Sequence, residues 1–398
     1  MDRSALVLIP LLVACGPELD VAEATGRFEE SGLDGDDERT PVVPACELAW
    51  TQSFADSRLH GFALTEAGDG VAVLELDASG GDVVLARWSP DGQPLTTHPI
   101  PLEPDEHVHG LAVDPVGRAF VLGQSSSSAW VRAYLDDGTL AWTRPLPVAE
   151  GDVLAHWGSA SVSSNGDLLV SAVAGSASAS PQSRAWVARL DGEGGELLWV
   201  FDRQLPEEGE PDVYDTFAMA GVPEVVETSS GDILALADVY PFGCLDFCGS
   251  NYLAIRLTAG GSYSGFATFE RCATELVPGH DARFETGSCD PTWLLHRAPL
   301  TGSTEWFVEA ESWLGEVHDL VPATGGSLLV ATGEDARWSI GTIDGAGQVE
   351  RRCQGQVDGV DRVWVGARVA GDATFVALST WSAPDQLSTT LARVVLPD

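Results

Sequence analysis

The feature that most limits how this chain can fold is that it repeats itself. One unit reads His109-Gly110-Leu-Ala-Val-Asp-Pro-Val-Gly117-Arg-Ala-Phe-Val-Leu-Gly123, then Ala129-Trp-Val-Arg-Ala-Tyr-Leu135-Asp-Asp-Gly138-Thr-Leu-Ala-Trp142. It holds four short apolar runs separated by Gly and Asp, and their alternation of small and large apolar residues fits strands. The third and fourth runs flank Asp136-Asp137-Gly138, a hairpin signal. The second half recurs at Val84 to Trp88 before Asp91-Gly92, at Trp186 to Leu190 before Asp191-Gly192, at Tyr252 to Leu257 before Gly260-Gly261, at Trp338 to Ile343 before Asp344-Gly345, and at Thr390 to Val394. The first half recurs as Gly61 to Leu74, Ser159 to Val170, Val225 to Leu236, Leu320 to Val330 and Val365 to Leu378.

Self-similar four-stranded units of about 40–50 residues are the mark of a β-propeller, in which blades stack face to face around a channel. A β-sandwich would not require such units. The expected fold is therefore all-β, a single propeller over residues 47–398 with six or seven blades. Six complete units are readable, and the piece from Trp293 to Trp313 is either a degenerate seventh blade or an insertion. The last unit lacks a fourth strand of its own. Leu48-Ala49-Trp50-Thr51-Gln52 copies Leu140-Ala141-Trp142-Thr143-Arg144. This N-terminal strand is expected to pair beside Leu391 to Val395 and close the ring, removing an open sheet edge.

The run from Gly110 through Gly123 and Ala129 to Gly138 resembles the bacterial β-propeller repeat often called SBBP and, more loosely, NHL repeats. The Asp-x-x-Gly-x-x-x-Trp hairpin, stretched between Asp191 and Trp199, is similar to the blade motif of quinoprotein-like propellers. The resemblance covers most of 47–398. It implies a fold and an extracytoplasmic setting, and no single activity.

The N-terminus points to the same compartment. Arg3 precedes an apolar run, Ala5 to Ala14, too short to span a bilayer and typical of a secretory signal over 1–14. Leu12-Val13-Ala14-Cys15-Gly16 resembles the bacterial lipobox, which implies cleavage before Cys15 and acyl chains on its thiol. The expectation is an envelope lipoprotein at the outer membrane or cell surface, or facing the periplasm, touching the membrane through its lipid. Residues 15–46, rich in Glu, Asp, Gly and Pro, read as a disordered tether. Net charge is −39 with 60 acidic residues, and all 21 basic residues are Arg. Such a surface repels nucleic acid and anionic headgroups; an extracellular protein or a polysaccharide is the expected partner class.

Besides Cys15 there are Cys46, Cys244, Cys248, Cys272, Cys289 and Cys353, an even number in an exported chain, which suggests three disulfides. Cys244 and Cys248 share one short loop and Cys272 and Cys289 bracket another, leaving Cys46 for Cys353. Zinc is the competing use of these thiols, but no paired Cys-x-x-Cys is present.

No nucleophile elbow, Walker loop, dinucleotide fingerprint or His-Glu-x-x-His occurs, and no cofactor is implied. Trp50, Trp142 and Trp199 hold one repeat position, where packing between blades outweighs a sugar-binding role. His60, His109 and His318 share a place just before the first strand of three units, with His156 near it in a fourth. First strands line the channel, so these imidazoles are the candidate metal ligands at its mouth; the competing reading has them bonding to backbone as repeat residues. The functional expectation is a non-catalytic binding or scaffolding propeller. The alternative is a hydrolase or lyase with its site at the channel mouth.

Overall fold

The computed structural model describes residues 43–76, 81–126, 128–147, 153–175, 184–204, 217–241, 251–270, 274–278, 282–286, 293–299, 305–309, 315–371, 373–383 and 386–397. A compact unit spans Val43–Asp398. Its first described residues are bonded into the fold. The signal segment and Cys15 lie outside the described residues. Among the described residues the regular elements are strands and one 3₁₀ turn, and no helix is long and apolar enough to cross a membrane.

Among the described residues the strands form seven four-stranded antiparallel sheets. Strand β1 (Glu47–Phe54) stands outside chain order. The first sheet is β2 (Ser57–Leu64), β3 (Gly70–Leu76), β4 (Val83–Trp88) and β5 (Pro94–Pro99). The second is β6 (His107–Val113), β7 (Ala119–Gln124), β8 (Ala129–Tyr134) and β9 (Leu140–Pro145). The third is β10 (Val153–Val162), β11 (Leu168–Gly175), β12 (Arg184–Leu190) and β13 (Leu197–Arg203). The fourth is β14 (Phe217–Glu227), β15 (Ile233–Pro241), β16 (Asn251–Leu257) and β17 (Tyr263–Glu270). The fifth is β18 (Thr274–Leu276), β19 (Ala282–Thr286), β20 (Trp293–Pro299) and β21 (Trp306–Glu309), so the runs at Trp293 and Trp306 belong to a sheet with the same plan as the others. The sixth is β22 (Glu316–Pro322), β23 (Leu328–Glu334), β24 (Arg337–Ile343) and β25 (Val349–Gln356). The seventh is β26 (Arg362–Ala370), β27 (Ala373–Ala383) and β28 (Gln386–Val395), with β1 as its fourth strand. Leu48 pairs with Val394 and Gln52 with Leu391.

The burial pattern shows why these sequences stack. Every residue of β4 and β11 is buried, as expected for strands covered on both faces, while β5 and β9 alternate between exposed and half-buried. The apolar clusters cross from one sheet to the next. Phe375, Ala377 and Leu391 of the seventh sheet pack with Phe62, Ala72 and Leu74 of the first. First strands touch first strands: β2 contacts both β6 and β26, β10 contacts β6 and β14, and β22 contacts β26. Antiparallel four-stranded sheets stacked face to face in this way are a β-propeller.

Among the described residues, five of the seams also carry a repeated clasp. A ring on the fourth strand of one sheet lies against the glycine of the hairpin between the third and fourth strands of the next. The pairs are Trp50 on Gly92, His98 on Gly138, Trp142 on Gly195, Trp199 on Gly261 and Trp306 on Gly347. The indoles of Trp50, Trp199 and Trp306 donate to the carbonyls of Pro90, Ala259 and Gly345 at 2.9, 3.1 and 3.0 Å. The expected packing role of Trp50, Trp142 and Trp199 is thus met, with Trp306 and His98 in the same role. Arginines on the third strands reinforce the seams. Arg87 is buried, and its guanidinium donates to Asp136 Oδ1 and to the carbonyl of Leu135 in the second sheet.

The N-terminal segment ties two sheets together. Cys46 N–H donates to the Gln354 carbonyl at 2.8 Å and Gln354 N–H to that of Pro44 at 3.0 Å, extending the sixth sheet. The chain then crosses into the seventh as β1. Cys46 and Cys353 are joined by a disulfide with Cα atoms 4.8 Å apart, as expected. Cys244, Cys248, Cys272 and Cys289 lie outside the described residues.

Two outcomes follow from these seams. Gly195 has φ of +68°, and a Cβ there would lie 2.7 Å from the Trp142 ring. Gly195→Ala should therefore cost more than about 1 kcal/mol, read from the denaturant midpoint. Cys46→Ser should cost about 2–4 kcal/mol, because it releases a cross-link between residues 307 apart.

Candidate functional site

The repeated histidines occupy one structural position, and it lies inside the first strand rather than before it. Pairing of β2 with β3 runs through Leu59↔Leu74 and resumes at Gly61↔Val73, so His60 is the extra residue of a β-bulge. His109 is the corresponding residue between Val108 and Gly110, and His318 between Val317 and Asp319. A bulge bends its strand and re-aims a side chain that regular pairing would send to one face or the other. In the third sheet the skipped residue is Ala155, and His156 follows it, paired with Val173.

Two of the three histidines line one cleft. A cleft of about 980 Å³ opens between the first and second sheets and is lined by Arg58, His60, Glu75, Glu106, His107 and His109, with Pro99 to Leu102 beneath. His60 Nε2 lies 3.1 Å from Glu75 Oε2, and Arg58 Nη1 approaches the same oxygen at 4.0 Å. On the second sheet Arg132 holds both oxygens of Glu106, at 2.9 and 2.8 Å, and covers the Trp130 ring with its guanidinium 4.0 Å from the centroid. Glu106 is thereby committed to the wall.

His318 stands on a different seam. The Val365 N–H of the seventh sheet donates to its Nδ1 at 3.2 Å, which puts the ring proton on Nε2. Beside it, Asp319 Oδ2 accepts from the Ala367 N–H at 2.8 Å and from Arg368 at 2.6 Å. The imidazole here joins two sheets by a backbone bond. Among the described residues no group of three or more His, Cys, Asp or Glu is placed to hold a metal ion. His60, His109 and His318 do not come together as one ligand set, because repeat equivalence spreads them over two seams.

Burial sets the charge of the cleft. It lowers the His60 pKa, opposed in part by the hydrogen bond to Glu75. It lowers that of His109 to about 4, assisted by the neighbouring His60 and His107. His318 is also shifted down by burial, with Glu316 and Asp319 opposing. At neutral pH His60 and His109 therefore present uncharged imidazoles to the cleft, beside the exposed Arg58 guanidinium. Such a wall offers hydrogen-bond donors and acceptors to a polar ligand, and His109 is a neutral base. Glu75 and Arg58 were missed by the sequence reading. Only the register of the first hairpin, Arg58↔Glu75, carries that information.

No protein-family model matches the chain, and no curated protein matches it. Solved structures do. A polysaccharide lyase aligns with TM-score 0.53 and 10% identity over 84% of this chain and 89% of its own. An acylaminoacyl peptidase from Pyrococcus horikoshii aligns with TM-score 0.50 and 11% identity over 82% of this chain and 51% of its own. Prolyl oligopeptidase B from Galerina marginata aligns with TM-score 0.51 and 12% identity over 85% of this chain and 48% of its own. This chain thus spans about half the length of the two peptidases, and the likeness to all three is one of fold alone.

The histidine shifts set a pH dependence. The folded His60 and His109 bind a proton less readily than they do in the unfolded chain, where the ordinary value is 6.5. Their contribution to stability is therefore fully present above that pH and is lost as pH falls from 6.5 towards 4. The melting temperature should fall over this window. His60→Asn should flatten that fall, as followed by thermal melts at fixed ionic strength.

Proposed function

We propose that this chain is a lipid-anchored lipoprotein of the bacterial cell envelope whose propeller is a closed ring of seven blades. Its role is that of a non-catalytic binding or scaffolding module, with the His60–His109 cleft as its ligand site. The observation that carries the reading is the cleft, about 980 Å³ in volume and lined by a few convergent polar groups. Ligand sites generally have this size and character.

Ring closure is supported by two contacts between the ends of the chain and by one between the closing strand and the first sheet. β1 pairs with β28, Trp50 lies on Gly92 of the first sheet, and β2 touches β26. The anchor rests on Leu12-Val13-Ala14-Cys15, with the acid-rich residues after it as a spacer. Cys244–Cys248 and Cys272–Cys289 complete the proposed set of disulfides.

The second reading is an enzyme, a hydrolase or lyase acting at the cleft. His109, neutral at physiological pH and lining the same cleft as Arg58, favours it as a general base. Incubation with neutral and uronate polysaccharides separates the two readings. The binding reading expects unchanged chain length and ultraviolet absorbance. Cleavage that His109→Ala abolishes would replace it with the enzyme reading.

The anchor makes its own prediction. In cell fractionation the wild type should sediment with membranes, and Cys15→Ser should move to the soluble fraction. A Cys15→Ser variant that stays with the membrane would refute lipid anchoring.

A further inference from the structure

Most of the described tryptophans are used by the fold. Trp88, Trp130, Trp186 and Trp338 are buried. Trp50, Trp142, Trp199 and Trp306 lie on glycines of neighbouring sheets. Among the tryptophans whose side chains are described, Trp364 and Trp381 remain, and they are 39% and 37% exposed.

Register puts these two side by side. Arg362 pairs with Trp381 and Trp364 with Ser379, and directly opposed residues of an antiparallel pair point to the same face. The two tryptophans are thus diagonal neighbours, about 7–8 Å apart, with exposed Arg362 in line. The opposite face of β26 carries Val363, Val365 and Ala367 into the core shared with the sixth sheet. The tryptophan face is turned the other way, towards the first sheet, since Arg368 on the same face donates to the Phe62 carbonyl at 3.1 Å. The Trp364 ring lies over Gly366, where a Cβ would come within 2.9 Å of it, so the indole is laid along the strand. The Asp361 N–H donates to the Trp381 carbonyl at 2.6 Å and holds the end of the hairpin.

We propose that Trp364, Trp381 and Arg362 form a binding surface for neutral pyranose saccharides, distinct from the histidine cleft and on a different seam. Two partly exposed indoles side by side suit an amphipathic partner, which can cover their free faces and still reach polar groups beside them. A pyranose ring is such a partner, with a C–H face for each indole and hydroxyls for the five donors of the guanidinium. The flanking Asp361 and Ser382 are exposed and polar, which suits hydroxyl groups better than an apolar peptide anchor. A net charge of −39 decides between saccharides, since it repels uronate and sulfated polymers at long range.

The test uses the domain with its disulfides intact against immobilised gluco-, xylo-, manno- and chito-oligosaccharides, with oligogalacturonate as the acidic arm. Binding to at least one neutral oligosaccharide is expected, with a change in tryptophan fluorescence. Trp364→Ala and Trp381→Ala should each weaken it tenfold or more, Arg362→Ala less, and Leu95→Ala on the outer strand of the first sheet not at all. Thermal melts of each variant establish that the fold is retained. Three results would overturn the proposal: no binding to any neutral oligosaccharide, binding confined to oligogalacturonate, or binding unchanged in a folded Trp364→Ala/Trp381→Ala variant. A partner protein captured by the same face without saccharide binding falls under the first.

Discussion

An aromatic ring laid on a glycine of the next sheet is the contact on which the rest of this molecule depends. Four strands cannot bury both of their faces alone, and each sheet here is completed by its neighbours. The ring covers the hairpin turn, where backbone without a side chain faces the seam. At Gly92 and Gly195 a Cβ would lie 2.4 and 2.7 Å from the ring, so small size at the turn and bulk at the fourth strand are one requirement. His98 on Gly138 shows that the seam needs a flat ring more than an indole. Stability built in this way is close to a sum over neighbouring pairs, as in other repeat architectures.

The same stacking explains the polar groups inside. Arg87 is 2% exposed, and an unpaired buried guanidinium would be costly. It is tolerated because it crosses the seam to Asp136 and the Leu135 carbonyl. Arg189 does the same in the third sheet, meeting Asp167, Asn165 and the carbonyl of Ala259. Charge here serves registration between sheets. The acidic excess is left to the surface, where it shapes which ligands approach.

The bulge on the first strand turns a structural repeat into local chemistry. Each bulge frees one side chain from the alternation of the pleat, and histidine fills three of these positions. What each imidazole does depends on its neighbour. His318 faces the Val365 N–H and becomes a bond between sheets. His60 faces Glu75, at the far end of its own hairpin, and shares a cleft with His107 and His109. One repeat position thus yields a joint on one seam and part of an open pocket on another. A repeat consensus names such a position but not the group it will meet.

The plan of four-stranded units, the fourth-strand match at Leu48 to Gln52, the Cys46–Cys353 pair and the seam tryptophans were legible in the chain, because each follows from local pattern or from counting. Strand period, hairpin turns and ring-bearing positions are written within about fifteen residues of one another, and local geometry obeys them. The fifth sheet was only half legible, since β18 and β19 are short and lack the repeat's markers, and stacking between flanking sheets supplies what their sequence does not. The pairing of His60 with Glu75, the separation of His318 from the other two histidines, and the exposure of Trp364 beside Trp381 were decided by tertiary structure alone. Each depends on which residues face one another across a strand pair or a seam, and that is fixed by register and stacking between segments far apart in the chain, where no local pattern reaches.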